Sequence, residues 1–139
     1  MEMIIGGAFQ GKTAYAKKKY PDICWVEAKN LEEDALMQAQ GVLGFHNYIK
    51  KELQKGKDLS GLAEKLIQNN AELILVSDEV GYGIVPVDAF ERKYRECVGR
   101  ICTDLAAASA VVTRIVCGVG TVIKNDGTSD ASSWNDGGK

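Results

Sequence analysis

The sequence predicts an α/β fold built on a mainly parallel sheet, and three observations carry that prediction. A short apolar run, Met3-Ile4-Ile5, leads into Gly6-Gly7-Ala8-Phe9-Gln10-Gly11-Lys12-Thr13, which fits the pattern G-x-x-x-x-G-K-[ST]. A second run, Leu73-Ile74-Leu75-Val76-Ser77, is apolar without alternation, as in a strand buried on both faces, and it ends in Asp78-Glu79. Phe90, Tyr94, Val98, Ile101 and Leu105 then recur at helical spacing, and a last apolar run starts at Val111. Strands alternating with helices make a parallel sheet, and such sheets hold ligands at the carboxyl ends of their strands.

The elements follow in order. The helix after the glycine loop should end by Tyr20-Pro21, because the residue before proline resists helical geometry. Ile23-Cys24-Trp25-Val26 reads as a strand closing at Glu27-Ala28, expected beside the first strand in a β-α-β unit. Glu32, Glu33 and Asp34 open a helical stretch that Gly41 and Gly44 interrupt. Val42, Phe45, Ile49 and Leu53 recur at helical spacing, predicting a second helix to about Gln54 that Lys55-Gly56-Lys57 ends. Asp58 or Ser60 can cap the next helix, whose stripe is Leu59, Leu62, Ala63, Leu66 and Ile67. Val80 to Pro86 is a glycine-punctuated loop. Asp88 with Glu91 three residues on resembles a capping box and opens a long helix, about Val87 to Ser109. The final strand, from Val111, is expected to continue through Cys117-Gly118-Val119-Gly120 into Thr121-Val122-Ile123. Residues 1–124 form one domain on this reading. Residues 125–139, mostly Asn, Asp, Gly, Ser and Thr, read as a flexible polar tail, because they bury too little apolar surface to offset ordering entropy.

Composition sets limits. A chain of 139 residues with 45% hydrophobic and 26% charged residues can bury a real core. A net charge of −2 gives no global electrostatic reason to expect nucleic acid. No stretch approaches the roughly 20 apolar residues of a membrane span, and no signal-peptide pattern opens the sequence, so the cytoplasm is the default expectation. The four cysteines at 24, 97, 102 and 117 make no C-x-x-C pair, and with one histidine a zinc site is poorly supplied. Cys24 and Cys117 lie in apolar runs and read as buried, and all four are expected to be structural and reduced.

The candidate chemistry starts at the glycine loop. Glycines let successive N–H groups turn toward phosphate oxygens, and the following helix adds its positive N-terminal end. Gly6, Gly7, Ala8, Phe9, Gln10, Gly11, Lys12 and Thr13 would bind the nucleotide, with Lys12 on the β/γ-phosphates and the Thr13 hydroxyl on Mg²⁺. Asp78 or Glu79, at the end of an apolar strand, could hold that metal from the opposite side. His46, the sole histidine, has Lys50 one turn along on the same face; a neutral imidazole there could attack an α-phosphate, or could simply be a helix-surface residue. Arg92 and Arg95 could clamp a phosphorylated substrate, or pair with Glu91 and Glu96 along the helix. Tyr82, between two glycines, could contact ligand. The P-loop, Glu27, Asp78-Glu79 and the 80–86 loop all fall at expected strand carboxyl ends and could converge on one site.

The stretch Glu79-Val80-Gly81-Tyr82-Gly83-Ile84-Val85-Pro86 resembles the E-V-G-x-G-I-V-P element of one family, the bifunctional adenosylcobinamide kinase / adenosylcobinamide-phosphate guanylyltransferases of cobalamin biosynthesis. Arg92, Tyr94-Arg95 and Gly99-Arg100 match that family's R-x-Y-R and G-R, Gly6 to Thr13 match its G-G-A-x-x-G-K-[ST], and Ile123-Lys124 resembles its closing strand. The resemblance covers residues 1–20 and 72–124. It implies a three-layer, RecA-like P-loop NTPase fold. It also implies two reactions: phosphorylation of the aminopropanol hydroxyl of adenosylcobinamide by GTP or ATP, and transfer of GMP from GTP to the resulting phosphate through a guanylylated histidine. His46 would be that nucleophile, Lys12 and Glu79 the other catalytic groups, and Mg²⁺ the metal at Thr13, Glu79 and Asp78. Tyr82, Arg92 and Arg95 would meet the corrinoid substrate, and a homo-oligomer fits the family. Cys102-Thr103 stand where the family has Asn-Gln, and the family's longer middle section is compressed into residues 28–71. A nucleotide-binding accessory or regulatory protein without guanylyl transfer, or a small kinase for another substrate, are the alternative readings.

Overall fold

A computed structural model of the chain describes residues 1–80 and 88–126. Among the described residues, strands and helices follow one another along the chain. They are β1 (Glu2–Gly6), α1 (Lys12–Lys19), β2 (Trp25–Glu27), a 3-10 turn (Ala28–Asn30), α2 (Glu33–Leu36), β3 (Gly41–Leu43), α3 (Phe45–Gln54), α4 (Leu62–Asn69), β4 (Ile74–Asp78), α5 (Ala89–Ala108), β5 (Val111–Val116) and β6 (Val119–Asn125). The sheet runs β2-β3-β4-β1-β5-β6, parallel throughout except for β6, which pairs antiparallel with β5. The α/β fold with a mainly parallel sheet therefore holds, as does its three-layer form.

The layers follow from strand alternation. Met3, Leu75 and Val112 face α3, α4 and α5, where they pack with Phe45, Ile49, Leu53, Leu66, Val98, Ile101 and Leu105. Ile4, Val76 and Ile115 face the other way, against Ala16 of α1. Successive residues of β1 and β4 thus feed two cores, which is why their sequences are continuously apolar. The helix caps are equally readable: the Asp88 carboxylate accepts from the Glu91 amide at 2.7 Å and starts α5, and α1 ends at Tyr20, just before Pro21.

Four expectations need correction. Gly41-Val42-Leu43 is a strand, not the start of a helix. Gly41 is there for packing: a Cβ would lie 2.5 Å from the Trp25 ring. β2 pairs with this strand and not with β1, whose neighbours are β4 and β5. The last apolar run is a hairpin, turning at Cys117-Gly118, both with positive φ. Cys24 and Cys117 are exposed, since β2 is an edge strand and Cys117 sits in that turn. Smaller differences occur at α4, whose N-cap is Gly61; the Asp58 carboxylate instead accepts from the Ser60 amide. The sheet extends through Asn125, and Asp126 donates its amide to the Ala110 carbonyl, so two residues of the expected tail belong to the fold; residues 127–139 lie outside the described residues. No helix among the described residues is long and apolar enough to cross a membrane.

Candidate functional site

The order β2-β3-β4-β1-β5 has a switch point between β1 and β4. The chain leaves β1 toward one edge and leaves β4 toward the other, so α1 and α5 lie on opposite faces and a crevice opens at the carboxyl ends. The glycine loop fills this place. Gly6 lies close against β5, since a Cβ there would meet the Ile115 carbonyl oxygen at 2.5 Å. Gly11 is left-handed, with φ of 87°, and α1 starts at once with no side chain capping its first amides. Those amides remain available to an anion.

The cleft beside the loop has a volume of about 390 Å³ and is lined by residues 8–14 together with Glu27, Leu43, Gly44, His46, Asn47, Val76 and Asp78. Lys12 is only 8% exposed; its ammonium donates to the Gly7 carbonyl at 2.7 Å and pairs with Asp78 Oδ1 at 2.7 Å. Thr13 is exposed and lines the same cleft. His46, in the first turn of α3 and half-buried, is held twice by one residue. The Asp78 amide donates to Nδ1 at 3.0 Å, and Nε2 lies 3.3 Å from Asp78 Oδ2. Because Nδ1 accepts, the neutral ring carries its proton on Nε2 and donates it to the carboxylate. Burial is the largest influence on this ring and lowers its pKa; Asp78 pulls it up, while Lys12 and Lys50 push it down. The net direction is down, so His46 is neutral at pH 7 and its contact with Asp78 is a hydrogen bond rather than an ion pair.

The structure brings the glycine loop, Glu27 and Asp78 together, as their places at strand ends suggested, and adds His46, which the sequence placed within a helix. It separates the others. Glu79 does not line this cleft; its carboxylate accepts from Arg114 Nε at 3.0 Å, beside a groove lined by Met3, Ile5, Val98 and Val112 that Asp78 also borders. Arg95 pairs with Glu91 at 3.1 Å one turn back, and neither Arg92 nor Arg95 is among the described residues lining the P-loop cleft. Lys50 places its ammonium over the Tyr94 ring, 5.6 Å from the centroid. Tyr82 lies outside the described residues. Asn47 and Arg114 were not foreseen. Asn47 enters the cleft because α3 follows β3, a strand too short to read. Arg114 meets Glu79 because β5 and β4 flank β1, an order that no local pattern encodes.

The family described as CobU, cobinamide kinase / cobinamide phosphate guanyltransferase, matches residues 24–123. The chain belongs to this family. Among curated relatives, the proteins named bifunctional adenosylcobalamin biosynthesis protein CobU from Escherichia coli (strain K12) and Salmonella typhimurium (strain LT2) are each 44% identical over 54 residues. That segment is 39% of this chain and 30% of each relative. This chain therefore spans about a third of the length of the relatives it matches. The family match begins at residue 24, after the glycine loop, so the case for a phosphate site at residues 6–13 rests on the loop's own sequence and geometry.

Proposed function

We propose that the chain binds GTP or ATP at the P-loop cleft and phosphorylates the aminopropanol hydroxyl of adenosylcobinamide, and that the same cleft serves GMP transfer through His46. The observation that supports this best is the meeting of Lys12, Asp78 and His46 in one cleft beside uncapped helix amides. Lys12 exchanges the Gly7 carbonyl and Asp78 for β- and γ-phosphate oxygens, gaining stronger charge partners. The loop amides and the start of α1 hold the remaining oxygens. The Thr13 hydroxyl and the Asp78 carboxylate are hard oxygen donors on one cleft, which suits Mg²⁺, and they would hold it where its charge offsets that of the phosphates. Glu79, paired with Arg114 outside the lining of this cleft, is a second-choice ligand. The substrate hydroxyl attacks the γ-phosphorus, and the bond to the β-phosphate oxygen breaks.

For GMP transfer, a His46 nitrogen attacks the α-phosphorus and pyrophosphate leaves; the corrinoid phosphate then displaces the histidine. In the resting arrangement Nδ1 already accepts from the Asp78 amide and Nε2 carries the proton. The nucleotide must therefore break one of those bonds to free a lone pair. This double engagement favours, as a second reading, a nucleotide-binding family member that has kept the P-loop site without guanylyl transfer.

The deciding experiment is incubation with Mg²⁺ and GTP labelled at the α-phosphate, using wild type and His46→Ala. Acid-labile label on wild type alone supports the nucleophile. No label on either, with adenosylcobinamide phosphate present, removes the guanylyl step and leaves the P-loop reading, which γ-labelled nucleotide and adenosylcobinamide then test.

A further inference from the structure

We propose that Gln10 is a positioning residue that fastens the crest of the phosphate loop to the turn of the β5–β6 hairpin. The Gln10 Oε1 accepts from the Cys117 amide at 2.6 Å, and the Gln10 carbonyl accepts from the Gly118 amide at 2.8 Å. Among the described residues these are the hydrogen bonds that tie residues 8–10 to another element. The amide side chain is thus turned to the hairpin, whereas the loop motif would treat this position as one more nucleotide contact.

Three close approaches surround the joint. A Cβ on Gly6 would meet the Ile115 carbonyl oxygen at 2.5 Å, one on Gly11 would lie 3.3 Å from the Gly118 Cα, and one on Gly120 would enter the Tyr15 ring at 2.6 Å. The hairpin therefore lies against the loop's first glycine, its last glycine and the helix that follows. The two non-glycine residues with positive φ among those described also meet here. Phe9, with φ of 62°, precedes Gln10, and Cys117, with φ of 52°, supplies the amide that Gln10 holds. Side chains adopt this backbone region rarely and keep it where the surroundings over-determine it. Two such residues joined through one glutamine indicate that each turn holds the other in shape. A phosphate-binding loop gains from this, because amides already aimed at a ligand need not be ordered when it binds.

The inference rests on the reading of this cleft as a nucleotide site, and the test separates the two. Gln10→Met keeps the side chain's length and removes its acceptor; Gln10→Glu keeps an acceptor. Two quantities are measured: affinity for a fluorescent GTP analogue with Mg²⁺, and amide hydrogen exchange. Gln10→Met should weaken binding about five- to tenfold, the factor set by a hydrogen bond of ordinary net strength. It should speed exchange at the Cys117 amide while leaving β4 at the wild-type rate, and Gln10→Glu should restore that protection. Gly120→Val, which moves the hairpin from its far side, should weaken binding too, and less than additively with Gln10→Met. If Gly120→Val does not fold, the two Gln10 variants decide alone. Wild-type affinity in Gln10→Met overturns the brace. So does weakened binding with Cys117 exchange unchanged, which would mark Gln10 as a direct ligand. If wild type binds no better than Lys12→Ala, the nucleotide reading fails, and the brace with it.

Discussion

Asp78 and Glu79 are adjacent in sequence and their carboxylates take different partners. Asp78 faces a polar cleft, with the buried Lys12 ammonium on one oxygen and His46 on the other. Glu79 faces an apolar groove and is held by Arg114, which is half-exposed. The lesson is that an acidic pair at a strand end is two candidates, and that the neighbouring strand decides which of them meets the phosphate loop.

The largest expected effect breaks that comparison most directly. In the proposed kinase reaction, Asp78→Ala should lower kcat by about a hundredfold or more, as loss of one aimed electrostatic group does, whereas Glu79→Ala should lower it less than about tenfold. Equal losses in steady-state assays would mean that Glu79 reaches the cleft in the working enzyme. Stability should separate the two less sharply. Asp78→Ala leaves a largely buried ammonium with the Gly7 carbonyl and should cost about 1–3 kcal/mol in urea unfolding. Glu79→Ala removes a pair open to solvent and should cost about 1 kcal/mol or less.

Acid titration sharpens the contrast further. The folded-state pKa of His46 lies below its unfolded value, so the folded protein binds the proton less readily. Its contribution to stability is present above the unfolded value of about 6.5 and is lost as pH falls through the lower folded value. His46→Asn should flatten the decline of unfolding free energy below that pH, and an unchanged slope would show that the ring is not the group responsible. The smallest effect belongs to the helix away from both sites. Arg95→Ala should cost about 0.5 kcal/mol through its pairing with Glu91. If Arg92→Ala and Arg95→Ala each leave KM for the corrinoid unchanged, the phosphate-clamp role falls.

The parts legible from sequence were those where local pattern and tertiary role coincide. β1 and β4 read correctly because burial on both faces makes them apolar throughout, and α5 because its cap and stripe agree. The loop between β1 and α1 stands where the sequence placed it, because Gly6 must lie close against β5 and Gly11 must take a left-handed backbone. Residues 28–71 were harder. β3 has three residues, too few to show a period, and its Gly41 resembled a helix break while serving to admit the Trp25 ring. The hairpin was missed because Cys117 adopts a backbone conformation that glycine usually occupies. The pairings of Asp78 with His46 and of Glu79 with Arg114 depend on strand order, which arises only when distant segments meet.

The central place of β1 has a consequence for how the molecule is made. Glu2 pairs with Ile74 on one side and with Val111 on the other. During synthesis β1 has no partner in the sheet until β4, which starts at Ile74, has been made. Closing so long a loop is slow and entropically costly, and an unpaired apolar strand is prone to wrong contacts while it waits. The loop between β1 and α1 is thus made well before the strands that shape it, and a nascent chain stopped before β4 should hold the loop's full sequence without its shape.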